Sequence, residues 1–410
     1  MERGNESVIT VAAMRAADSR TIESGTPSKE LMRRAAQGIF DAYDGWAGKR
    51  TLAVCGSGNN GGDGYALAEI LKDHACEVAV LRVSEKFSED GRYYYDRCLE
   101  KGVPCFLYGQ TAEEPDGSAA WSSSFGDYDI LVDCMLGTGF AGTPKEPIAT
   151  VIRDINAAHE AGAYVIAADI NSGMNGDTGE AELAVRSDLT VSIGFYKKGL
   201  FAGRAPELIG RLVNVDIGIR LEEMTLYHMG FAEIREPDIR RGRRNADFGQ
   251  GFYLSPDEAF SRRWATSREG METILNRYTL VLDGLLIKRF QRDADWYAYL
   301  AGNRAGQPDS LAAYDVIIGP IANDTIYDTG GILTSGLLNS DQSLALLELG
   351  PVYEQVVIKS DKAAAQLTWE AVEVICEEAV RRARATVAEE EECFQEVLGA
   401  KMEELFDEAE

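Results

Sequence analysis

An α/β three-layer sandwich on a mainly parallel sheet, then a smaller α+β domain and an acidic helical tail, is the architecture this sequence predicts. Three observations carry that expectation. Seven short runs of Val, Ile, Leu and Ala alternate with helical spacing between Val8 and about Arg220. Those runs show little polar alternation, as strands covered on both faces do. The alternation stops after Asp216-Ile217-Gly218-Ile219, where short strand-like runs sit among polar loops and an Ala/Glu/Leu-rich stretch closes the chain.

Two amphipathic helices, Val11–Ser24 and Ser28–Trp46, precede the first strand. Thr26-Pro27-Ser28 reads as the turn between them, with Ser28 as N-cap and Leu31, Met32, Ala35 and Ile39 on the buried face. The predicted strands are Thr51–Cys55, Glu77–Val83, Val103–Leu107, Asp129–Cys134, Ala163–Asp169, Leu189–Ile193 and Arg211–Asp216. Helices are predicted at Asp63–Asp73, Ser88–Lys101 and Pro147–Ala161. Further on, strand-like runs are Tyr278–Leu282, Asp315–Ile318 and Gln355–Ile358. From Asp361 onward Val372, Cys376, Ala379, Ala383, Phe394, Leu398, Met402 and Leu405 fall at helical spacing, and Glu389–Glu392 is a solvated face or a break between two helices. The expected domains are 1–220, 221–367 and the tail 368–410.

Composition narrows the function classes. The 410 residues carry 67 acids against 41 Lys and Arg, a net charge of −26 that repels phosphate backbones and anionic lipid, so neither nucleic acid nor a membrane surface is an expected partner. Seven dispersed cysteines without a C-x-x-C pair suit a reducing cytosol and argue against a disulfide framework or zinc ribbon. Three histidines are too few for a His-rich metal centre. Neither a signal peptide at Met1–Thr10 nor an apolar run of about 18 residues is visible, and the expectation is a soluble cytoplasmic protein.

The first strand runs into Gly56-Ser57-Gly58-Asn59-Asn60-Gly61-Gly62-Asp63-Gly64, which satisfies G-x-G-x-x-G in a strand–turn–helix context. Glycines permit close backbone approach, and a helix N-terminus offers N–H groups to an anion. A Rossmann-like dehydrogenase remains open, because Glu85 stands about where a ribose-binding acid would. Against it, two amides and a carboxylate in the loop exceed what pyrophosphate docking needs.

Four segments together resemble the NAD(P)H-hydrate epimerase family, with its YjeF-type N-terminal fold. They are Gly58–Tyr65, Val132–Gly139, Asp169-Ile170-Asn171-Ser172-Gly173 with Gly176-Asp177-Thr178-Gly179, and Lys197-Lys198-Gly199-Leu200 ahead of Asp216–Ile219. The resemblance spans nearly all of residues 8–220. It implies an isomerase acting on the hydrates NADHX and NADPHX. Asn59, Asn60, Gly61, Gly62 and Asp63 then contact the nucleotide, and Gly137, Thr138, Gly139, Phe140, Ala141, Gly142, Thr143 and Asp169 line the same pocket. It further implies a potassium ion on Asn60, Asp133 and Ser172, and a homodimer. The chemistry agrees with this. Epimerisation at C6 of the reduced nicotinamide breaks and remakes a C–O bond through an iminium cation, so it wants a carboxyl acid/base and negative charge nearby. Asp169, at the end of a buried strand, suits that role, with Lys197 as its catalytic companion or a solvated surface lysine. Phe195-Tyr196 and Arg34-Ala35-Ala36-Gln37 depart from the family's Ala-Pro and Glu-Asn-Ala-Gly.

Beyond residue 220 the family's usual kinase-like partner is missing. Leu226-Tyr227-His228, Arg240–Asn245, Asp247–Leu254 and Ile318–Asp324 instead resemble an uncharacterised bacterial domain family of ADP-ribosyltransferase-like fold, over about Thr225–Leu367. That layout suits NAD in a cleft between His228 and Tyr253, with Arg243 of the Arg240–Arg244 cluster on pyrophosphate and Asp324 or Glu354 as the available acid. Gln355, not an acid, stands at the position of the essential one and argues for binding over transfer. The same residues also read as a core histidine, core aromatics and a solvated arginine loop. Two rivals of other classes stand beside the epimerase: a binding or dimerisation scaffold, and a transferase effector carried on an epimerase-fold platform.

Overall fold

The computed structural model describes residues 7–110, 119–121, 123–322 and 338–407. The chain divides into two compact units, Met1–Leu221 and Glu222–Glu410. Among the described residues no helix is long and apolar enough to cross a membrane.

In the first unit, chain order runs β1 (Val8–Ile9), α1 (Val11–Glu23), α2 (Ser28–Asp41), β2 (Arg50–Cys55), α3 (Asn59–Asp73), β3 (Glu77–Arg82), α4 (Glu89–Glu100), β4 (Cys105–Leu107) and β5 (Ala119–Ala120). It continues with β6 (Ile130–Cys134), α5 (Ile148–Glu160), β7 (Tyr164–Ala168), β8 (Leu189–Ile193), β9 (Tyr196–Lys197), α6 (Ala205–Leu208) and β10 (Arg211–Val215). Eight strands form one parallel sheet in the order β10-β8-β7-β6-β2-β3-β4-β5. Every residue of β6 and β8 is buried, as expected when helices cover both faces. On one face Val151, Ile152 and Ile155 of α5 pack on Leu52, Val54, Leu81 and Leu131 of the sheet. The connections leave β2 toward β3 on one side and β6 toward β7 on the other, so the direction of winding switches between β2 and β6. Open α/β sheets bind ligands beyond the strand ends at such a point.

The predicted strands recur within a residue or two, but three helical details differ. Pro27 takes the N-cap place with extended backbone and Ser28 is the first helical residue, because proline's fixed φ suits the entry. α2 stops at Asp41, and Trp46 turns back so that its indole Nε1 donates to the Phe40 carbonyl at 2.9 Å. α3 starts four residues earlier than its apolar spacing suggests, so Asn59 to Asp63 stand on the helix and not in a loop.

The second unit contains β11 (Glu223–Gly230), β12 (Phe252–Leu254), α7 (Glu258–Arg263), β13 (Thr273–Val281), β14 (Ile287–Arg289), α8 (Ala294–Arg304) and β15 (Val316–Pro320). Then come α9 (Ser340–Leu347), β16 (Glu354–Ile358), α10 (Asp361–Ala365), β17 (Leu367–Ile375) and α11 (Glu377–Asp407). An antiparallel sheet β11-β13-β17 and a sheet β12-β16-β15-β14, parallel only at β14–β15, share one core through Leu226, Tyr278 and Leu280 against Phe252, Val316 and Val356. The expected tail needs correction: residues 367–375 are a strand, not helix. Thr368, Val372, Val374 and Ile375 are β-branched, and β13 supplies a ladder for them. From Glu377 one helix runs unbroken through Glu389–Glu392 and packs Phe394 and Leu398 on Leu346.

Candidate active site

A cavity of about 490 Å³ opens beyond the carboxyl ends of β2, β6 and β7. Two glycines shape its floor. A Cβ on Gly56 would lie 1.9 Å from the Met135 carbonyl oxygen, and one on Gly61 would lie 2.1 Å from the carbonyl oxygen of Gly56. Only bare backbone lets the exits of β2 and β6 and the start of α3 converge so tightly. Gly58 begins α3 without a side-chain cap, and Ser57, Gly58, Asn59 and Asn60 line the cavity. The positive end of the helix dipole therefore faces a ligand.

Asp169 follows β7 directly and adopts φ +65°. Its Oδ1 accepts from the Ile193 N–H at 3.3 Å and pairs with the Lys197 ammonium. Lys197 is 1% exposed, and its Nζ also donates to the Ile193 carbonyl at 2.7 Å. The solvated-lysine alternative is thereby excluded. β1 lies parallel on β9, with Ile9 opposite Lys197, and the Val11 N–H donates to Asp177 Oδ1 at 2.8 Å.

Asp63 lines the same cavity from α3. Burial first, then the neighbouring carboxylates of Asp169 and Asp18, push its carboxyl well above the ordinary range, against the pull of Lys197. Burial also raises the carboxyl of Asp18 on α1.

Beneath the cavity, Asn60, Asp133 and Ser172 converge on the turn after β6. Asn60 Nδ2 donates to the Leu136 carbonyl at 2.9 Å, and the Leu136 N–H donates to Ser172 Oγ at 2.8 Å. Asp133 accepts from Ser172 Oγ at 2.6 Å, from Ser172 N–H at 2.8 Å and from Met135 N–H at 3.2 Å. Desolvation outweighs these bonds and holds its carboxyl at about 6. The Asn60 Oδ1 is buried and has no hydrogen-bond partner among the described residues.

Of the residues expected around the nucleotide, Asn59, Asn60, Asp63, Gly137, Thr138, Gly139, Phe140 and Asp169 line the cavity, while Gly61 and Gly62 pack inside. Ala141, Gly142 and Thr143 stand outside it, exposed, and the Thr143 hydroxyl donates to Glu182 at 2.7 Å. Sequence reasoning missed Arg15 and Asp18 of α1, Asp90 of α4, and Ile193 and Ile217. Glu85 is exposed and away from the cavity. The end of β3 is instead held by fully buried Arg82, over the Phe87 ring at 4.2 Å, which removes the ground for a dehydrogenase ribose site.

Among the described residues of the second unit, His228 and the Tyr253 hydroxyl do not face one another. His228 Nδ1 lies 2.8 Å from the Tyr253 carbonyl oxygen and its ring packs on Phe252. The Tyr253 hydroxyl points to the other face, donating to the Gly249 carbonyl at 2.7 Å and accepting from the Phe248 N–H at 3.0 Å. Alternation along β12 sends the two rings apart. Arg243 is exposed, Gln355 is buried with its amide directed to the Pro320 carbonyl at 3.3 Å, and Asp324 lies outside the described residues.

Residues 28–199 match a family model described as YjeF-related protein N-terminus, and residues 224–369 match one described as a protein of unknown function, DUF3990. A protein of Limosilactobacillus fermentum named NAD(P)H-hydrate epimerase is 35% identical over 219 residues, which are 52% of this chain and 97% of that protein. One of Lentilactobacillus buchneri with the same name is 31% identical over 218 residues, covering 94% of its length. A bifunctional NAD(P)H-hydrate repair enzyme of Pyrobaculum aerophilum is 34% identical over 246 residues, and there the match spans only 47% of the relative.

Proposed function

Because the chain belongs to the NAD(P)H-hydrate epimerase family, we propose that its first unit, about residues 1–220, interconverts the R and S hydrates of NADH and NADPH. One observation carries this reading beyond the family: the Asp169–Lys197 pair stands at the floor of a cavity that an uncapped helix N-terminus also faces. The nucleotide's phosphates suit the α3 terminus, which leaves the reduced ring above Asp169. Loss of hydroxide from C6, driven by the ring nitrogen's electron pair, leaves a planar iminium that water adds to from either face. A carboxylate at that place steadies the cation. Lys197 holds Asp169 in orientation through their ion pair.

Asn60, Asp133 and Ser172 fit a monovalent cation, potassium in this reading. An amide oxygen without a partner and a buried carboxyl whose bonding partners are all uncharged form a hard oxygen donor set. A cation there supplies charge that neutralises Asp133 and stiffens the turn carrying Gly137 and Thr138.

The second unit keeps an ADP-ribosyltransferase-like fold in this reading, supported by two sheets packed over one core. No reaction is assigned to it. A reducing cytoplasm suits the seven free cysteines.

The test is to give the purified chain the (R)-hydrate of NADH and follow the R/S ratio by chiral-resolving chromatography. Approach to the equilibrium ratio at a rate proportional to enzyme concentration is expected. A ratio that moves no faster than in enzyme-free buffer overturns the reading.

A further inference from the structure

We infer that Asp63 is a second catalytic carboxyl of this site, a protonated acid that delivers the proton the departing hydroxyl needs and recovers it from the incoming water. The inference rests on the epimerase reading and adds a proton carrier to it.

The argument starts from the charges that face the cavity. From α1 come Arg15 and Asp18, from α3 Asp63, from α4 Asp90, from the end of β7 Asp169, and from β9 Lys197. α2 contributes only Ser28, Leu31, Met32 and Ala35, and at the end of β6 lies the buried thiol of Cys134. Among the cations, Lys197 alone acts on Asp63. Its ammonium is already bound to Asp169 and to the Ile193 carbonyl. Asp63 therefore shares one buried positive charge with a carboxylate that holds it more closely. Two carboxylates beside one ammonium, with Asp18 adding negative charge to the same cavity, disfavour ionisation of all three together. The proton goes to the carboxyl without a partner of its own.

Asp63 and Asp169 face one cavity in unlike surroundings, and such a difference divides acid from base. Asp169, paired with the Lys197 ammonium, is the one placed to steady the iminium. Asp63, neutral, has a proton to give, whereas Lys197 is committed by its two short bonds. The step balances without a further reactant. As the C6–O bond breaks, the ring nitrogen's electron pair forms the C=N bond, the Asp63 proton moves to the leaving oxygen, and water departs. In the return step water adds to C6, the C=N pair goes back to nitrogen, and the excess proton returns to the Asp63 carboxylate. Hydroxide, a poor leaving group at neutral pH, is avoided in both directions.

Asp63 has the alternative role of an acceptor for a nucleotide hydroxyl, and the two roles separate in kinetics. Because Asp63 acts as an acid with a raised pKa, kcat holds at low pH and falls as pH rises through that pKa. The experiment measures kcat and KM for the (R)-hydrate across pH in the full chain, its Asp63→Asn variant and its Asp63→Glu variant. Transfer of ¹⁸O from labelled water into the hydrate is a second readout. Folding is checked by circular dichroism and thermal melting. The expected result is an Asp63→Asn kcat lower by roughly 10²- to 10⁴-fold, with KM within a few-fold, no falling limb at high pH, and ¹⁸O uptake reduced in proportion. Asp63→Glu restores part of kcat and moves the limb. An Asp63→Asn variant that folds and keeps kcat within a few-fold, or that raises KM alone, overturns the inference while the epimerase reading stands. No epimerisation by the unmodified chain overturns both.

Discussion

Asp169 occupies a left-handed backbone conformation, φ +65°, that most side chains avoid and that Asp and Asn tolerate best. Strain of this kind persists where surroundings over-determine it, and here the Ile193 N–H and the Lys197 ammonium hold the carboxylate in place. Asp169→Asn therefore keeps the fold, because asparagine accepts the same backbone, while removing the charge. We expect an unchanged circular dichroism spectrum and a loss of epimerisation of roughly 10²- to 10⁴-fold in the chromatographic assay. Full activity would remove Asp169 from the chemistry. Lys197→Met leaves Asp169 facing the cavity without its ammonium partner, and denaturant unfolding should show a loss of roughly 1–3 kcal/mol. The double variant Lys197→Met/Asp169→Asn should recover much of that loss, since the two effects share one interaction. Asp169 and Asp133 were legible in the sequence as carboxyls at the ends of apolar strands, and Asn60 as an amide of the glycine-rich turn. The burial of Lys197 was not, because Tyr196-Lys197-Lys198-Gly199 reads as surface until β1 and the strand ends close around it.

The elements that converge on the cavity differ in how visibly the sequence marks them. The strand–turn–helix of β2 and α3 carries its glycines openly. Each parallel strand is an apolar run that no other fold class explains as simply. α1 is different: amphipathic spacing predicts the helix, but which of its residues reach the cavity depends on packing, so Arg15 and Asp18 went unnoticed. β17 was lost for another reason. Its Val372, with Cys376 just beyond its end, fits a helical period when read with the apolar residues of α11, and the β13 ladder decides for a strand. The turn after β6 is the element with a testable ion dependence. Replacing tetramethylammonium chloride by potassium chloride should raise the melting temperature of the native chain. Asn60→Ala should abolish that rise, because Asn60 brings the unpartnered oxygen. An equal rise in both proteins would place the ion elsewhere.

At the scale of the whole molecule, each unit closes its own sheets and fills its own core, so two cooperative foldings are expected. The fragment Met1–Leu221 should melt in a single calorimetric transition and keep the kcat of the full chain within about two-fold. A fragment that is folded but inactive would assign the second unit a part in catalysis. One pairing inside the first unit has a temporal side. β1 is synthesised well before β9, its strand partner among the described residues, and the Val11 N–H reaches an acceptor 166 residues further on. At about 5–20 residues per second, β1 waits on the order of 10–40 s for the strand that will hold it. Contacts so distant in sequence form late. The sheet around β2, β3 and β6 is then expected to assemble while β1 is still unattached, and Lys197 gains its backing only when β1 docks. The site is thus completed by a strand made early and paired late, and cleavage between β1 and α1 would leave the sheet folded and the Asp169–Lys197 pair without its backing.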